Sequence, residues 1–236
     1  MKKIILLFIT LPILGFNQFY KWDIGLNGGV NINNPIVNNA TLDEVNYQGN
    51  LYGLTVIYHF NRFLAIKADL DIENRGWVMK NYNLNHENAN LNQNGNLITN
   101  LENVTQVLDY FDVPAFMHIG FGKKFKVDLN IGPYFGFKIK DEIYSYDPDG
   151  NKLNADQTRG EIGLYEDGFD NFDFGLVYGI GFDYQLHERF SIGFDALYER
   201  GMKVINAGDY KNSSIDFDFG INFHLGKRRR NNYEEN

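Results

Sequence analysis

"KWDIGLNGGVNI", residues 21–32, carries an apolar residue at every second position: Trp22, Ile24, Leu26, Val30 and Ile32, with Gly28 the only gap. Lys21, Asp23, Gly25, Asn27, Gly29 and Asn31 stand between them and are polar or lack a side chain. A pleated strand sends alternate residues to opposite faces, so this stretch is a strand with one greasy face and one wet face. Which of the two meets water separates a soluble binding barrel from a membrane protein.

The same alternation returns along the chain in "LYGLTVIYHF" (51–60), "FLAIKADLDIENR" (63–75), "YFDVPAFMHIGF" (110–121) and "FKVDLNIGPYFGFKIK" (125–140). It returns again in "FDFGLVYGIGFDYQL" (172–186), "FSIGFDALYE" (190–199) and "SIDFDFGINFHL" (214–225). Eight strands is a number that closes into a barrel. The links between them alternate too. "NR" (61–62), "GKK" (122–124) and "HER" (187–189) are short, whereas 33–48, 77–105, 141–170 and 200–213 read as long loops. Short turns at one end and long loops at the other describe an antiparallel up-and-down transmembrane barrel, with turns in the periplasm and loops outside. "NYNLNHENANLNQNGNLITN" (81–100) is Asn-rich and too poor in apolar residues to fold alone, and reads as a mobile external loop.

Volume decides the orientation of the faces. The apolar faces hold about twenty aromatic rings, each burying roughly 150–250 Å². The inside of an eight-stranded barrel is only just wide enough for ordinary side chains. The rings therefore face lipid, and the faces rich in Gly, Asp, Asn and Ser face inward. Shifting residues 63–75 by one place would put Lys67, Asp69 and Asp71 into hydrocarbon, where a lysine at midplane costs about 2–4 kcal/mol.

The totals agree with an all-β chain. Of 236 residues, 44% are hydrophobic, with 20 Phe, 15 Tyr and 24 Gly against only 5 Pro. A net charge of −8 argues against a nucleic-acid partner. With no Cys there is no disulfide framework, thiol nucleophile or lipoprotein anchor. "MKKIILLFITLPILGF" has a basic start and an apolar run too short to span a bilayer, so residues 1–18 are expected to be a cleaved signal peptide. Residues 19–226 then form the barrel and 227–236 a basic, polar periplasmic tail containing "KRRR".

"YFDVPAFMHIGFGKKFKVDLNIGPYFGF", "ENRGWVMK" and "FDFGLVYGIGFDYQL" resemble the PorT-type outer-membrane β-barrel family of Bacteroidetes, over about residues 20–226. The resemblance implies an outer-membrane barrel, and allows a link to protein secretion. "DFGINFHL" also resembles a barrel-assembly signal, with Asp218, Gly220, Phe223 and Leu225 as its residues, implying contact with the assembly machinery during insertion.

The inward faces carry Lys67, Asp69, Asp71, Glu73, Arg75, Asp112, Lys126, Asp128, Asp183, Asp195 and Asp216, and also Lys21, Lys138 and Lys140. Buried charges must be paired or watered, so this set reads as a hydrated, salt-bridged plug in preference to a pore. His59, His118 and His224 point inward and are the candidate metal ligands, although a metal needs several donors converging on one point and none is assigned. "DPDGN" (147–151) lacks calcium-loop spacing and reads as a turn with Gly150 left-handed. No nucleophile elbow, phosphate loop or zinc-protease pair is present, so neither catalysis nor a cofactor is expected. The expected product is a non-enzymatic outer-membrane barrel acting as a structural or interaction module. The alternatives are an accessory of a protein-secretion or outer-membrane assembly complex and, below that, a small-solute or ion pore or an enzyme inside or at the mouth of the barrel. Outer-membrane lipid is the expected partner, with secretion or envelope proteins as further candidates.

Overall fold

The computed structural model describes residues 18–36, 44–80, 82–83, 100–147, 149–153, 168–206, 209–226 and 229–230. Eight long strands dominate it: β1 (Trp22–Asn33), β2 (Glu44–His59), β3 (Leu64–Met79), β4 (Asn100–Gly122), β5 (Phe125–Tyr146), β6 (Phe172–His187), β7 (Phe190–Gly201) and β8 (Ser213–Leu225). Each pairs antiparallel with the next, and β8 returns to β1 from Ser214–Asn33 to Leu225–Trp22, closing the barrel. Closure leaves no long strand with an unpaired edge. A two-residue pairing of Gln18–Phe19 with Arg229–Arg230 joins the chain ends at the short-turn end.

The two faces separate as the volume argument requires. Leu26, Tyr52, Ile131, Leu176, Phe219 and Ile221 are among the large apolar side chains pointing outward, while Asp69, Asp112, Asp128 and Asp216 are buried inside. The outward rings pack at both ends of the apolar band. Trp22 stacks edge-on against Tyr58 and Phe190 against Phe223 at one end, and Phe137 lies against Phe172 at the other. Such aromatic girdles suit a membrane interface.

The strands run farther than their alternation indicates. The expected loops at 33–48, 77–105, 141–170 and 200–213 are partly strand, because β2 starts at Glu44, β3 continues to Met79, β4 starts at Asn100 and β5 ends at Tyr146. Residues 81 and 84–99 of the Asn-rich stretch, the expected signal peptide up to 17, and 227–228 and 231–236 of the tail lie outside the described residues. Here β4 and β5 hold 23 and 22 residues, against 12 and 13 in β1 and β8, so among the described residues the strands rise higher on the β4–β5 side of the long-loop rim.

Pairing slips in this tall part. β4 and β5 shift register between Glu102 and Thr105, where Asn103 has a φ of 49°, and again between Asp109 and Tyr110. The second shift inserts Ile139 between the partners of Asp109 and Tyr110, and the inward phase of β5 changes from even to odd residues. Lys140, expected inside, consequently points outward and pairs with Glu142 at 2.7 Å. Lys21 also departs from its expected place, its ammonium lying 5.1 Å from the centre of the outward Tyr58 ring. Beyond the slips the interior becomes apolar: Trp77, Met79, Leu101, Val104, Leu108, Ile143, Leu153, Phe169, Ile205 and Tyr210 form one buried cluster. The "DPDGN" turn has Gly150 at φ 82°, as its composition predicts.

Candidate functional site

From the long-loop end to the short-turn end the interior has three storeys. The apolar cluster is the first. Beneath it sits Arg75 on β3, only 1% exposed. Its Nη2 meets Glu73 at 2.8 Å, Glu199 of β7 at 2.5 Å and Asp112 of β4 at 3.2 Å, while Nη1 lies 3.5 Å from Asp173 of β6. The guanidinium also lies against the rings of Tyr110 and Tyr134, 5.3 and 4.8 Å from their centres. Tyr134 donates to Asp173 at 2.9 Å. One cation thus ties β3, β4, β6 and β7 together across the lumen, and Asn31 of β1 donates to Glu73 at 2.7 Å.

A second cation lies lower. Lys67 donates to Asp195 across the lumen at 2.6 Å and lies 3.6 Å from Asp69, which accepts from Thr55 at 2.6 Å. Asn27 donates to Asp71 at 2.9 Å. Asp216 and Asp218 are buried on the same side, each with one oxygen lacking a hydrogen-bond partner. Asp23, Asp69, Asp71, Glu73, Asp112, Asp128, Asp173, Asp183, Asp195, Glu199, Asp216 and Asp218 face inward against Lys67, Arg75, Lys126 and Lys138. Carboxylates thus outnumber fixed cations about three to one, and a charge left unpaired in a low dielectric is expensive.

The third storey is open. A cavity of about 420 Å³ at the short-turn end is lined by Asp23, His59, Arg62, Lys123, Lys124, Lys126, Asp183 and His224, among others. The three candidate histidines divide here. His59 and His224 share Asp23, at 2.8 and 2.7 Å. His118 lies apart: its Nδ1 meets Asn130 Oδ1 at 2.7 Å and its Nε2 is 3.4 Å from Asp128. Closure explains the first pairing, because His224 stands opposite Asp23 in the β8–β1 ladder. The sequence places all three on the inner face but cannot pair them without that register. It also leaves Asp128 and Asp183 unconnected to His118, although the three have donor atoms within 4.8 Å of one another.

Of the residues of the expected assembly signal, Phe223 is on the outer face and Asp218 on the inner. Gly220 stands opposite Asn27, and Leu225 opposite Trp22 at the short-turn end.

A family model described as the outer membrane protein beta-barrel domain matches residues 16–206. No curated protein matches the chain significantly in sequence. Among solved structures, Neisserial surface protein A is similar with 11% identity and a TM-score of 0.47, covering 87% of this chain and 97% of that one. Ail of Yersinia pestis is similar with 15% identity and a TM-score of 0.42, covering 86% and 99%. Outer Membrane Protein W of E. coli is similar with 11% identity and a TM-score of 0.43, covering 87% and 99%.

Proposed function

Because the chain belongs to the outer membrane protein beta-barrel domain family, we propose that it is a non-enzymatic structural or interaction module of the outer membrane, with an interior closed to solute. The observation that carries this reading is the Arg75 cluster, which joins opposite walls of the lumen through carboxylates and is roofed by the buried apolar cluster. A solute entering from the short-turn end meets first this ionic floor and then a greasy ceiling. Short turns and chain ends face the periplasm in this proposal, and the long loops face outward. The outward apolar band holds the barrel in lipid, and Phe223 and Leu225 at the end of β8 present the assembly signal.

Reconstitution into planar bilayers tests closure. Purified protein is expected to give no steady single-channel current in potassium chloride, and liposomes carrying it are expected to swell in small sugars no faster than empty ones. A resolved unitary current overturns the proposal.

The cation-rich mouth supports a second reading, an accessory subunit of a secretion or assembly complex. Arg62, Lys123 and Lys124 ring the open cavity and suit an acidic protein partner. A photo-crosslinker at Lys124 in living cells is expected to capture a defined envelope protein on this reading, and a clean lane removes it.

A further inference from the structure

We propose that His118, Asp128 and Asp183 form a binding site for one borderline divalent transition-metal ion of the zinc class, reached from the cavity at the short-turn end. The site grows out of strand register. His118 of β4 stands opposite Asn130 of β5, and Gly120 opposite Asp128, so His118 and Asp128 are diagonal neighbours on the inner face. Asp183 of β6 stands opposite Lys126 and Gly181 opposite Asp128, which makes Asp128 and Asp183 a second diagonal pair. Two glycines leave room for the donors: a Cβ at Gly120 would lie 2.5 Å from Asp128 Oδ1, and one at Gly193 would lie 2.8 Å from Asp183 Oδ1.

A relay fixes the imidazole. Asn130 Nδ2 donates to Asp195 Oδ1 at 2.9 Å, so its Oδ1 is left to accept, and His118 Nδ1 must be the donor to it at 2.7 Å. Nε2 is then the nitrogen aimed at the carboxylates, and with the ring neutral its lone pair is the one offered to a metal. This is the arrangement of a metal-ligating histidine whose other nitrogen is held by an oxygen. Asp128 Oδ1 is buried and has no hydrogen-bond partner, and it lies 3.4 Å from Nε2. That separation is long for a charge-assisted hydrogen bond, for which about 2.7–2.9 Å is usual. It equals the edge of a tetrahedron whose ligands sit about 2.1 Å from a central zinc. The third donor is within 4.8 Å of both others, and rotation of the half-buried Asp183 carboxylate makes up the remainder.

Space and charge agree. A small chamber of about 20 Å³ is lined by His118, Asp128 and Asp183, enough for a single ion or water. Asp183 and Ile57 also line the open cavity, so the chamber and the solvent-open mouth are separated by shared side chains. Lys67 is already held by Asp195 and Asp69, and Lys126 has a stem long enough to keep its ammonium in the watery mouth. One imidazole and two carboxylates favour zinc over calcium or magnesium, which take six or more oxygens. Water completes the fourth position.

Zinc chloride alone, titrated into EDTA-treated folded protein in detergent, tests the site by calorimetry and by the imidazole NMR signals. One equivalent is expected to bind, to perturb His118 and to leave His59 and His224 unmoved, with excess magnesium failing to compete. Cobalt in its place is expected to show tetrahedral d–d absorption. Asp128→Asn and His118→Ala are each expected to weaken binding more than about 100-fold, and Asn130→Ala about 10- to 100-fold. Foldedness of each variant is read from its heat-dependent gel mobility. Absence of saturable binding by the folded wild-type protein, or undiminished binding by folded Asp128→Asn, overturns the proposal and leaves a proton between His118 and the carboxylates.

Discussion

Arg75 shows how one side chain can set the internal balance of the barrel. Its guanidinium faces four carboxylates on four strands and is almost wholly buried. Arg75→Ala leaves those groups without their counter-charge, and breaking such a buried pair costs about 3–5 kcal/mol. Urea unfolding of the variant in micelles or bilayers is expected to show a midpoint lowered accordingly. Neighbouring residues on β8 test the faces against each other. Phe217→Asp puts a carboxylate on the lipid face and is expected to cut the yield of membrane-inserted barrel. Asp216→Asn removes one of an excess of inward carboxylates and is expected to insert as the wild type does. Equal losses would mean that the faces are exchanged. Most inward and outward assignments were legible in the sequence because a strand with lipid on one face and the lumen on the other alternates with a period of two wherever no bulge intervenes. Lys140 was not, because a single unpaired residue, Ile139, reverses the phase and leaves no mark in hydropathy. Nor was the sharing of Asp23 by His59 and His224, residues 165 positions apart that meet only when the barrel closes.

At the level of elements, the three short turns and all eight strands could be read directly, and the strand ends at the long-loop rim could not. Past the apolar band a strand no longer has lipid on its outer face. Asn74, for example, donates outward to Asp109 at 2.6 Å. The greasy-out, polar-in pattern inverts there, and "GWVM" and "DEIYSY" resemble loop. Their buried side chains behave like an ordinary soluble core. Trp77, stacked on Tyr210 at 4.7 Å and edge-on to Phe169, is its largest member. Trp77→Ala is expected to cost the cap about 3–5 kcal/mol. Limited proteolysis should then cut the extended ends of β4 and β5 faster while the membrane-embedded part keeps its heat-dependent gel mobility. The turn after β5 has its own acid sensitivity. Asn151 donates side-chain and backbone hydrogens to Asp147, holding that carboxyl below its usual 3.8. A depressed carboxyl lends stability at neutral pH and loses it as pH falls from about 4 through its folded value. The protection of the Gly150 and Asn151 amides, taken relative to the intrinsic exchange rate at each pH, is therefore expected to fall below pH 4 and to be unchanged between pH 6 and 8.

The whole molecule is a cylinder whose ends differ in kind: a cationic open mouth below and an apolar roof above. Its closed topology follows from eight alternating segments and from rings too bulky for the lumen, both of which the sequence contains. The roof left no such trace, since its members come from β3, β4, β5 and the segments around 153, 169 and 205–210 and meet only in the folded barrel. Orientation in the membrane is tested by the chain's lack of cysteine, which gives a silent background for labelling. Met202→Cys, exposed at the long-loop end, is expected to react with an impermeant maleimide on intact cells. Lys123→Cys, in a short turn, is expected to react only after the outer membrane is opened. The reverse pattern inverts the proposed topology.

The unequal strand lengths carry one more consequence. β4 and β5 exceed β1 and β8 by about ten residues, which at roughly 3.4 Å of rise each amounts to some 30 Å along the strand direction. Among the described residues the strand ends at the far rim form a parapet of unequal height. A cylinder that looks the same from every compass point would greet neighbours indifferently, but this one has a bearing: among the described residues the strands stand as a wall on the β4–β5 side and as a low sill on the β8–β1 side. Turning about the membrane normal thus changes what the protein offers, so contacts made at this rim are directional before any loop takes part.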